Sequence, residues 1–516
     1  MPVEAHTAAR RRWFAIDRTR ILAAALGAAT VAGFAPLYLF PLPVFTLAAL
    51  AWLVGRADSP GGAAILGWWF GLGFFLVGVS WVYVSLHNFG AMPMPLAALA
   101  TLLFCAFLAL FPSAAAYGCA KLKAPTWVKL VLVLPALWTL SEWVRGWIFT
   151  GFPWLAVGYS QVPLSALAGY APVLGVFGMS LLVSVSAGLL ALVGDAARDR
   201  AVTALRHPAL LVAAFLWLGG YALGQERWTE PAGEPVSVTL LQGNIPQDIK
   251  WTEAGLRATL ETYQRLTLAT DAKLVVLPET ALPLFLHEVP PVYLDALAQH
   301  ARGNSGDVLI GVPERLPSGE YYNSVISIGA SPAQAYRKTH LVPFGEFIPL
   351  RPVLGWIVSV LAIPLQDFSR GVSDPKPMAV AGQHVAVNIC YEDVFGEEII
   401  RQLPEATLLV NVSNVAWFGR SIAPRQHLQI SQARALETGR YMLRATNTGM
   451  TAIVDERGRV LKAAPQFETA VVTGKVQGYT GATPYVRWGN YAVIAICAAL
   501  LVAALLLARR KRGESR

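Results

Sequence analysis

Charge is scarce in this chain: 14% of its 516 residues are charged, where a soluble domain carries about 25%. Cysteine is sparser still. There are four, and Cys390 stands alone in the long polar part of the chain, so it has no nearby partner for a structural disulfide. No H-E-x-x-H motif and no paired cysteines offer a metal site. A phosphate-cradling glycine loop, an internal repeat and a low-complexity linker are absent too. These absences exclude an ordinary soluble domain and argue against metal chemistry; no metal or cofactor is expected.

What fills the chain instead is apolar. Hydrophobic residues make up 55% of it, crowded into the first 225 positions and one closing run. The candidate spans are Ile21 to Pro36, Pro41 to Val54, Ala64 to Leu86, Pro95 to Ala120, Trp127 to Phe149, Ala171 to Gly194, Pro208 to Leu223 and Tyr491 to Ala508. Most approach the roughly 20 residues that cross a bilayer; the first two are short and broken by proline. The opening "RRRWFAIDRTR" looks like a signal peptide, but six further spans follow, so a retained first helix is preferred. The expectation is a polytopic α-helical domain of about eight helices.

Basic residues orient it. Arg10, Arg11, Arg12, Arg18 and Arg20 precede the first span, Arg56 follows the second, Lys121 and Lys123 the fourth, Arg198, Arg200 and Arg206 the sixth, and Arg509, Arg510, Lys511 and Arg512 close the chain. Alternate loops are nearly bare, Arg145 excepted. Positive loops stay inside, so both termini are expected in the cytoplasm and the polar block on the far side. The net charge of +9 sits largely in these inside segments, which speaks for topology and against nucleic-acid binding.

Three units are therefore expected: residues 1–230 carrying helices one to seven, 231–487 a polar catalytic domain, and 488–516 the last helix and a tail. Within the block, β-branched runs at 236–245, 272–279, 307–314, 322–329, 384–392, 407–414 and 450–458 read as strands, with helices such as Glu253 to Thr270 and Pro290 to Ala301 between some of them. Several strands end in a reactive residue: Glu279 after "LVVLP", Cys390 after "VAVNI", Asn414 after "LLVNVS". Sites in α/β sheets gather beyond such ends. A further cluster, "YRKTHLVPFGE", adds Lys338 and Glu346.

The order "PE", "RKTHLVPFGE", "CYE" resembles the nitrilase, or carbon–nitrogen hydrolase, superfamily with its Glu-Lys-Cys triad. With seven leading spans and one trailing span, and with "QGNIPQDIKW", "WFG", "TNTGMTAIVDERG", "TPYVRWGN" and "EWVRGWIFTGFPW", the whole chain is similar to the bacterial apolipoprotein N-acyltransferase family. One departure is Val415, where an acid is expected after the asparagine; no catalytic role is given to it. The resemblance implies an αββα nitrilase-like domain outside the cytoplasm, in the bacterial inner membrane. It also implies a ping-pong cycle: a phospholipid, phosphatidylethanolamine acylated at sn-1, gives its chain to Cys390, and the α-amine of a diacylglyceryl-cysteine on an apolipoprotein receives it. A monomer is expected.

The chemistry assigns roles within that set. Cys390 attacks as a thiolate and needs a base; Glu279 is the candidate, the plain alternative being a solvated or paired glutamate. Lys338 would hold the oxyanion, with the Tyr391 backbone N–H as second donor. Glu346 supports Lys338 or serves as a second acid, and Tyr391 and Glu392 shape the pocket. Trp251, Asn414, Trp417 and Phe418 are supporting or substrate-binding candidates. His287, His300, His340, His384 and His427 offer a Cys-His alternative, without a protease signature around Cys390. "PVLGWIVSVLAIPL", 352–365, is apolar yet too short to span and reads as a lid or as a core helix. Glu142 and Arg145, the charged residues within spans, are spaced to pair.

Overall fold

In the computed structural model, residues 17–199, 204–348 and 367–514 are described. Each apolar run before the polar block contains a helix: α1 (Arg18–Thr30), α2 (Leu42–Gly55), α3 (Pro60–Gly78), α4 (Met94–Lys121), α5 (Thr126–Arg145), α6 (Ala166–Arg198) and α7 (Pro208–Leu223). Ser59 caps α3, its Oγ accepting from Gly62 N at 3.1 Å, with Pro60 in the first turn. Small residues then let helices close up: a Cβ on Gly67 would sit 2.6 Å from Pro112 O of α4, and one on Gly73 2.0 Å from Ala24 O of α1. Arg56 Nη2 meets Asp195 Oδ1 at 2.7 Å, so the basic ends of α2 and α6 lie on one face.

The polar block folds as two six-stranded sheets. One has the order β12-β1-β2-β3-β4-β5 and the other β11-β10-β9-β8-β7-β6. The first is built from β1 (Glu230–Gln242), β2 (Leu274–Val276), β3 (Asp307–Arg315), β4 (Tyr321–Gly329), β5 (Gln334–Arg337) and β12 (Ala470–Thr480). The second holds β6 (Met378–Val380), β7 (Gln383–Ile389), β8 (Leu408–Ser413), β9 (Met442–Thr446), β10 (Ala452–Val454) and β11 (Val460–Ala463). In each, three parallel strands (β1, β2, β3 and β7, β8, β9) are flanked by antiparallel ones. Val238, Leu240, Val276 and Leu309 face Val385, Val387, Val410 and Leu443 in a dry core between the sheets.

Helices α8 (Glu253–Leu268) and α9 (Pro291–Gly303) cover the outer face of the first sheet through Tyr263, Leu266, Tyr293 and Leu297. α10 (Ala423–Thr438) covers the second through Leu428 and Ala435. The layers are therefore α-β-β-α. α10 is buried on both sides, because Ala423, Ile430 and Ala433 join the core of the membrane helices. Its polar residues bond across that boundary: Gln426 Oε1 accepts from Trp154 Nε1 at 2.8 Å, Gln429 spans Ala35 N and Val162 O, and Glu437 Oε1 accepts from Val176 N at 2.7 Å.

The chain closes with α11 (Tyr491–Arg510), whose Val493, Cys497 and Ala504 join the membrane core. Among the described residues α3, α4, α5, α6 and α11 are long and apolar enough to cross a membrane, while α2 and α7 are shorter and α1 has 13 residues. Of the eight spans expected, length and composition support five crossings among the described residues.

Candidate active site

β7 ends in a sharp turn. Val385, Ala386, Val387 and Ile389 are wholly buried, and the next residue, Cys390, has φ of +54°, a left-handed conformation uncommon for a residue with a Cβ. Such a turn at a strand end presents the side chain beyond the sheet. The turn is tied from two sides. Asn411 Nδ2 of β8 donates to Cys390 O at 3.1 Å, and Glu392 Oε2 accepts from Ile389 N at 2.7 Å and Tyr336 OH at 2.8 Å. The other Glu392 oxygen accepts from Thr339 N (2.6 Å), Thr339 Oγ1 (3.0 Å) and His340 N (3.0 Å). This one carboxylate thus fastens the thiol-bearing turn to the stretch after β5 that carries Lys338. Burial pushes the Glu392 carboxyl up, with Lys338 and those N–H groups opposing.

Lys338 is buried between two acids. Its Nζ donates to Glu346 Oε1 at 2.8 Å and lies 3.7 Å from Glu279 Oε1. Asn323 Nδ2 on β4 bridges the same two oxygens, at 2.8 Å from Glu279 and 3.1 Å from Glu346. The remaining oxygens are held by backbone: Asn414 N donates to Glu279 Oε2 and Val342 N to Glu346 Oε2, at 2.7 and 2.8 Å. Burial works to lower the Lys338 ammonium, but Glu346, Glu279 and Cys390 outweigh it and hold the group charged.

At Cys390 the balance runs the other way. Burial pushes the thiol up, Glu279 adds to this, and Lys338 draws it down. The resting thiol is therefore held in its protonated form, and a base would have to take its proton before it could act as a nucleophile. Glu279 and Lys338 are the charged groups that act on it most.

The other sequence candidates surround this centre. Tyr391 OH donates to Gly151 O of the α5–α6 loop at 3.2 Å, and its ring faces Phe152 and Phe395. Phe418 packs edge-on against Trp81, centroids 4.7 Å apart. Trp417 is partly exposed against Phe89, and Ser85 Oγ donates to its carbonyl. Asn414 Nδ2 reaches Gln247 Oε1 at 2.9 Å. Trp251 is exposed on the loop after β1, and Val415 is buried. The 352–365 segment lies outside the described residues. His340 is paired with Glu398 and stacked on Phe395, while His427 Nε2 is committed to Asp393.

Glu142 and Arg145 do not form the expected ion pair. Glu142 Oε1 accepts from Trp138 Nε1 and Val157 N, each at 2.9 Å, while Arg145 Nη1 donates to the carbonyls of Phe152 and Trp154. The irregular 146–165 loop has backbone groups that need partners away from water, and each charge serves the loop separately.

Sequence reasoning missed the residues behind the site. Asn323 joins the two acids, and Asp393 accepts from Ser431 Oγ at 2.6 Å and Arg444 Nη1 at 3.2 Å, with His427 at 2.6 Å. Arg444 Nη1 also donates to Asn411 Oδ1, which supports the turn carbonyl. The available signal was a polar residue inside an otherwise apolar strand, as in "YYNSVI" and "MLRAT".

Two family profiles match the chain. The one described as the apolipoprotein N-acyltransferase N-terminal domain covers residues 26–189, and carbon-nitrogen hydrolase covers 237–485. Among curated proteins, the apolipoprotein N-acyltransferase of Nitrosomonas europaea is 57% identical over 498 residues, 95% of this chain and 99% of its own length. That of Chromobacterium violaceum is 47% identical, over 96% of this chain and 95% of its own. That of Methylococcus capsulatus is also 47% identical, over 90% and 92%.

Proposed function

The chain belongs to the apolipoprotein N-acyltransferase family, and from that premise we propose that it moves an acyl chain from a phospholipid, through a thioester on Cys390, to the α-amine of an apolipoprotein's diacylglyceryl-cysteine. Glu279 takes the Cys390 proton. The thiolate attacks the sn-1 ester carbonyl, a carbon–sulfur bond forms, and the tetrahedral oxyanion sits against the Lys338 ammonium. The carbon–oxygen bond then breaks, and the leaving alkoxide recovers the proton from Glu279 as lysophospholipid. In the second half-reaction the acceptor amine attacks the thioester, gives its proton to Glu279, and expels the Cys390 thiolate, which the same proton neutralises.

The observation that carries this reading is Lys338, buried and held 2.8 Å from Glu346 and 3.7 Å from Glu279, with both glutamates and Lys338 acting on Cys390. Glu346 keeps the ammonium charged while Glu279 carries the proton. Bonding of Tyr391 to Gly151 in the membrane half supports a site served by lipid-borne substrates. The same reading puts the protein in the bacterial inner membrane with the catalytic domain outside and both termini in the cytoplasm, supported by Arg56 and Arg198, which both lie over Trp52 at one end of the helices. Mass spectrometry of the protein purified from phospholipid membranes is the test. An acyl adduct on Cys390 that is discharged by a diacylglyceryl-cysteine peptide is expected, and none in Cys390→Ser; a wild-type protein that turns over without that adduct refutes the thioester.

A further inference from the structure

Six cationic side chains are buried among the described residues: Arg145, Lys250, Lys338, Arg434, Arg440 and Arg444. Five have partners. Arg145 and Arg440 donate to backbone carbonyls, Lys338 to Glu346, Arg434 to Glu437 and Arg444 to Asp393. Lys250, 2% exposed, has no hydrogen-bond or ion-pair partner for its ammonium among the described residues; its backbone N–H donates to Pro246 O at 3.1 Å. A buried charge without a partner costs several kcal/mol. The Lys250 ammonium is left unpaired where the side chain keeps its last accessible surface, the point at which an anion would meet it.

Its position says where that anion would lie. Lys250 is on the loop that follows β1, which is pinned beyond the ends of β8 and β9: Asn244 N donates to Asn447 O at 2.8 Å, Ile245 N to Asn447 Oδ1 at 2.9 Å, and Asn414 Nδ2 to Gln247 Oε1 at 2.9 Å. Asn414 is the residue whose backbone N–H holds Glu279, and Glu279 acts on the Lys250 ammonium through space. Glu279 has its hydrogen bonds from Asn323 and Asn414 and its cation in Lys338. Lys250 is therefore surplus to the base, on a loop fastened to the same Asn414 that holds it.

We propose that Lys250 binds the phosphodiester of the acyl donor. The inference rests on the phospholipid-donor reading above. In that donor the phosphate is carried three carbons along the glycerol from the oxygen that Glu279 protonates as it leaves, so an ammonium in the field of Glu279 meets the phosphate when the ester sits on Cys390. The acceptor offers an α-amine and no anion there. One buried cation thus favours the donor and disfavours the acceptor at the same place, which suits a cycle in which the two occupy the site in turn.

The test compares two donors with identical acyl chains, phosphatidylethanolamine and 1,2-diacylglycerol, in detergent micelles. It follows single-turnover acylation of Cys390 by mass spectrometry in the wild type, Lys250→Met and Lys250→Arg. A charge-assisted bond to phosphate predicts that the ratio of the phosphatidylethanolamine rate to the diacylglycerol rate falls about 10-fold or more in Lys250→Met and recovers most of the way in Lys250→Arg. An equal loss with both donors makes Lys250 a support of Glu279 or of the fold and overturns the proposal, as does an unchanged ratio. A wild-type protein that takes acyl chains from neither lipid removes the phospholipid reading, and this proposal with it.

Discussion

Lys338→Met separates the two jobs assigned to that ammonium. Glu279 Oε1 and Glu346 Oε1 both accept from Asn323 Nδ2, at 2.8 and 3.1 Å. They lie no further apart than those two bonds end to end, about 5.9 Å, so with Lys338 gone the two carboxylates repel by about 3 kcal/mol or more at an effective dielectric of about 20. That figure matches the loss typical of removing one partner from a buried pair. Thermal unfolding in detergent, followed by tryptophan fluorescence, should move down by about 6 to 12 °C. Loss of an oxyanion donor should cut single-turnover acylation of Cys390 by about 100- to 1000-fold. Adding Glu346→Gln removes one carboxylate charge, so the double variant should regain more than half of the lost stability and none of the lost acylation. Acylation within tenfold of wild type in Lys338→Met refutes the oxyanion role. A double variant as unstable as the single refutes the repulsion.

Two further outcomes follow from the same charges. Burial and Glu279 push the Cys390 thiol up while Lys338 draws it down, so Glu279→Gln should speed alkylation of Cys390 by iodoacetamide at pH 7 yet slow acyl transfer by about 100- to 10,000-fold; slower alkylation contradicts this balance. Burial lowers Lys250 from 10.5 to about 8, with Glu279 resisting. Between those values the unfolded chain keeps a proton that the folded chain has lost, so wild-type stability rises as pH climbs through the window, and below it the full cost of the buried charge, about 3 kcal/mol, is present. Lys250→Met should therefore raise the melting temperature by several degrees at pH 7, a gain that shrinks as pH rises from 8 toward 10; a constant gain across that range points to packing instead.

How legible this was depended on how each residue met its neighbours. "VAVNI" reads as a strand because every side chain in β7 from Val385 to Ile389 is buried, and Glu279, Lys338 and Cys390 stand where such strands end. β12 was missed because it is an edge strand, with Gly474, Gly478 and Lys475 on it, recognisable only from its long antiparallel pairing with β1. β9 was missed because Arg444 interrupts its apolar run, and nothing local reveals that Asp393 and Asn411 wait for it. α10 carries glutamines, a histidine, arginines and a glutamate, a composition that reads as solvated, yet fourteen of its sixteen residues are buried. Its partners are backbone groups and side chains more than 200 positions away. Local pattern carries burial well where the buried groups are apolar and poorly where they are polar and satisfied.

The two-sided burial of α10 also dictates an order of manufacture. The ribosome releases the chain from its N-terminus, and domains generally fold as units in that order. The 146–165 loop and the start of α6 are therefore in place before α10 exists. They offer the carbonyl of Val162, the indole of Trp154 and the N–H of Val176 that Gln429, Gln426 and Glu437 take up. The membrane half is thus a template on which the second sheet's outer layer is finished, and α11, arriving last, locks it from the side of α5 and α6. A catalytic half made by itself would keep water as a partner for Gln426, Gln429 and Glu437 but would bare Val394, Phe395, Ala423, Ile430 and Ala433, so trimming away the anchor is expected to give a sticky, destabilised domain.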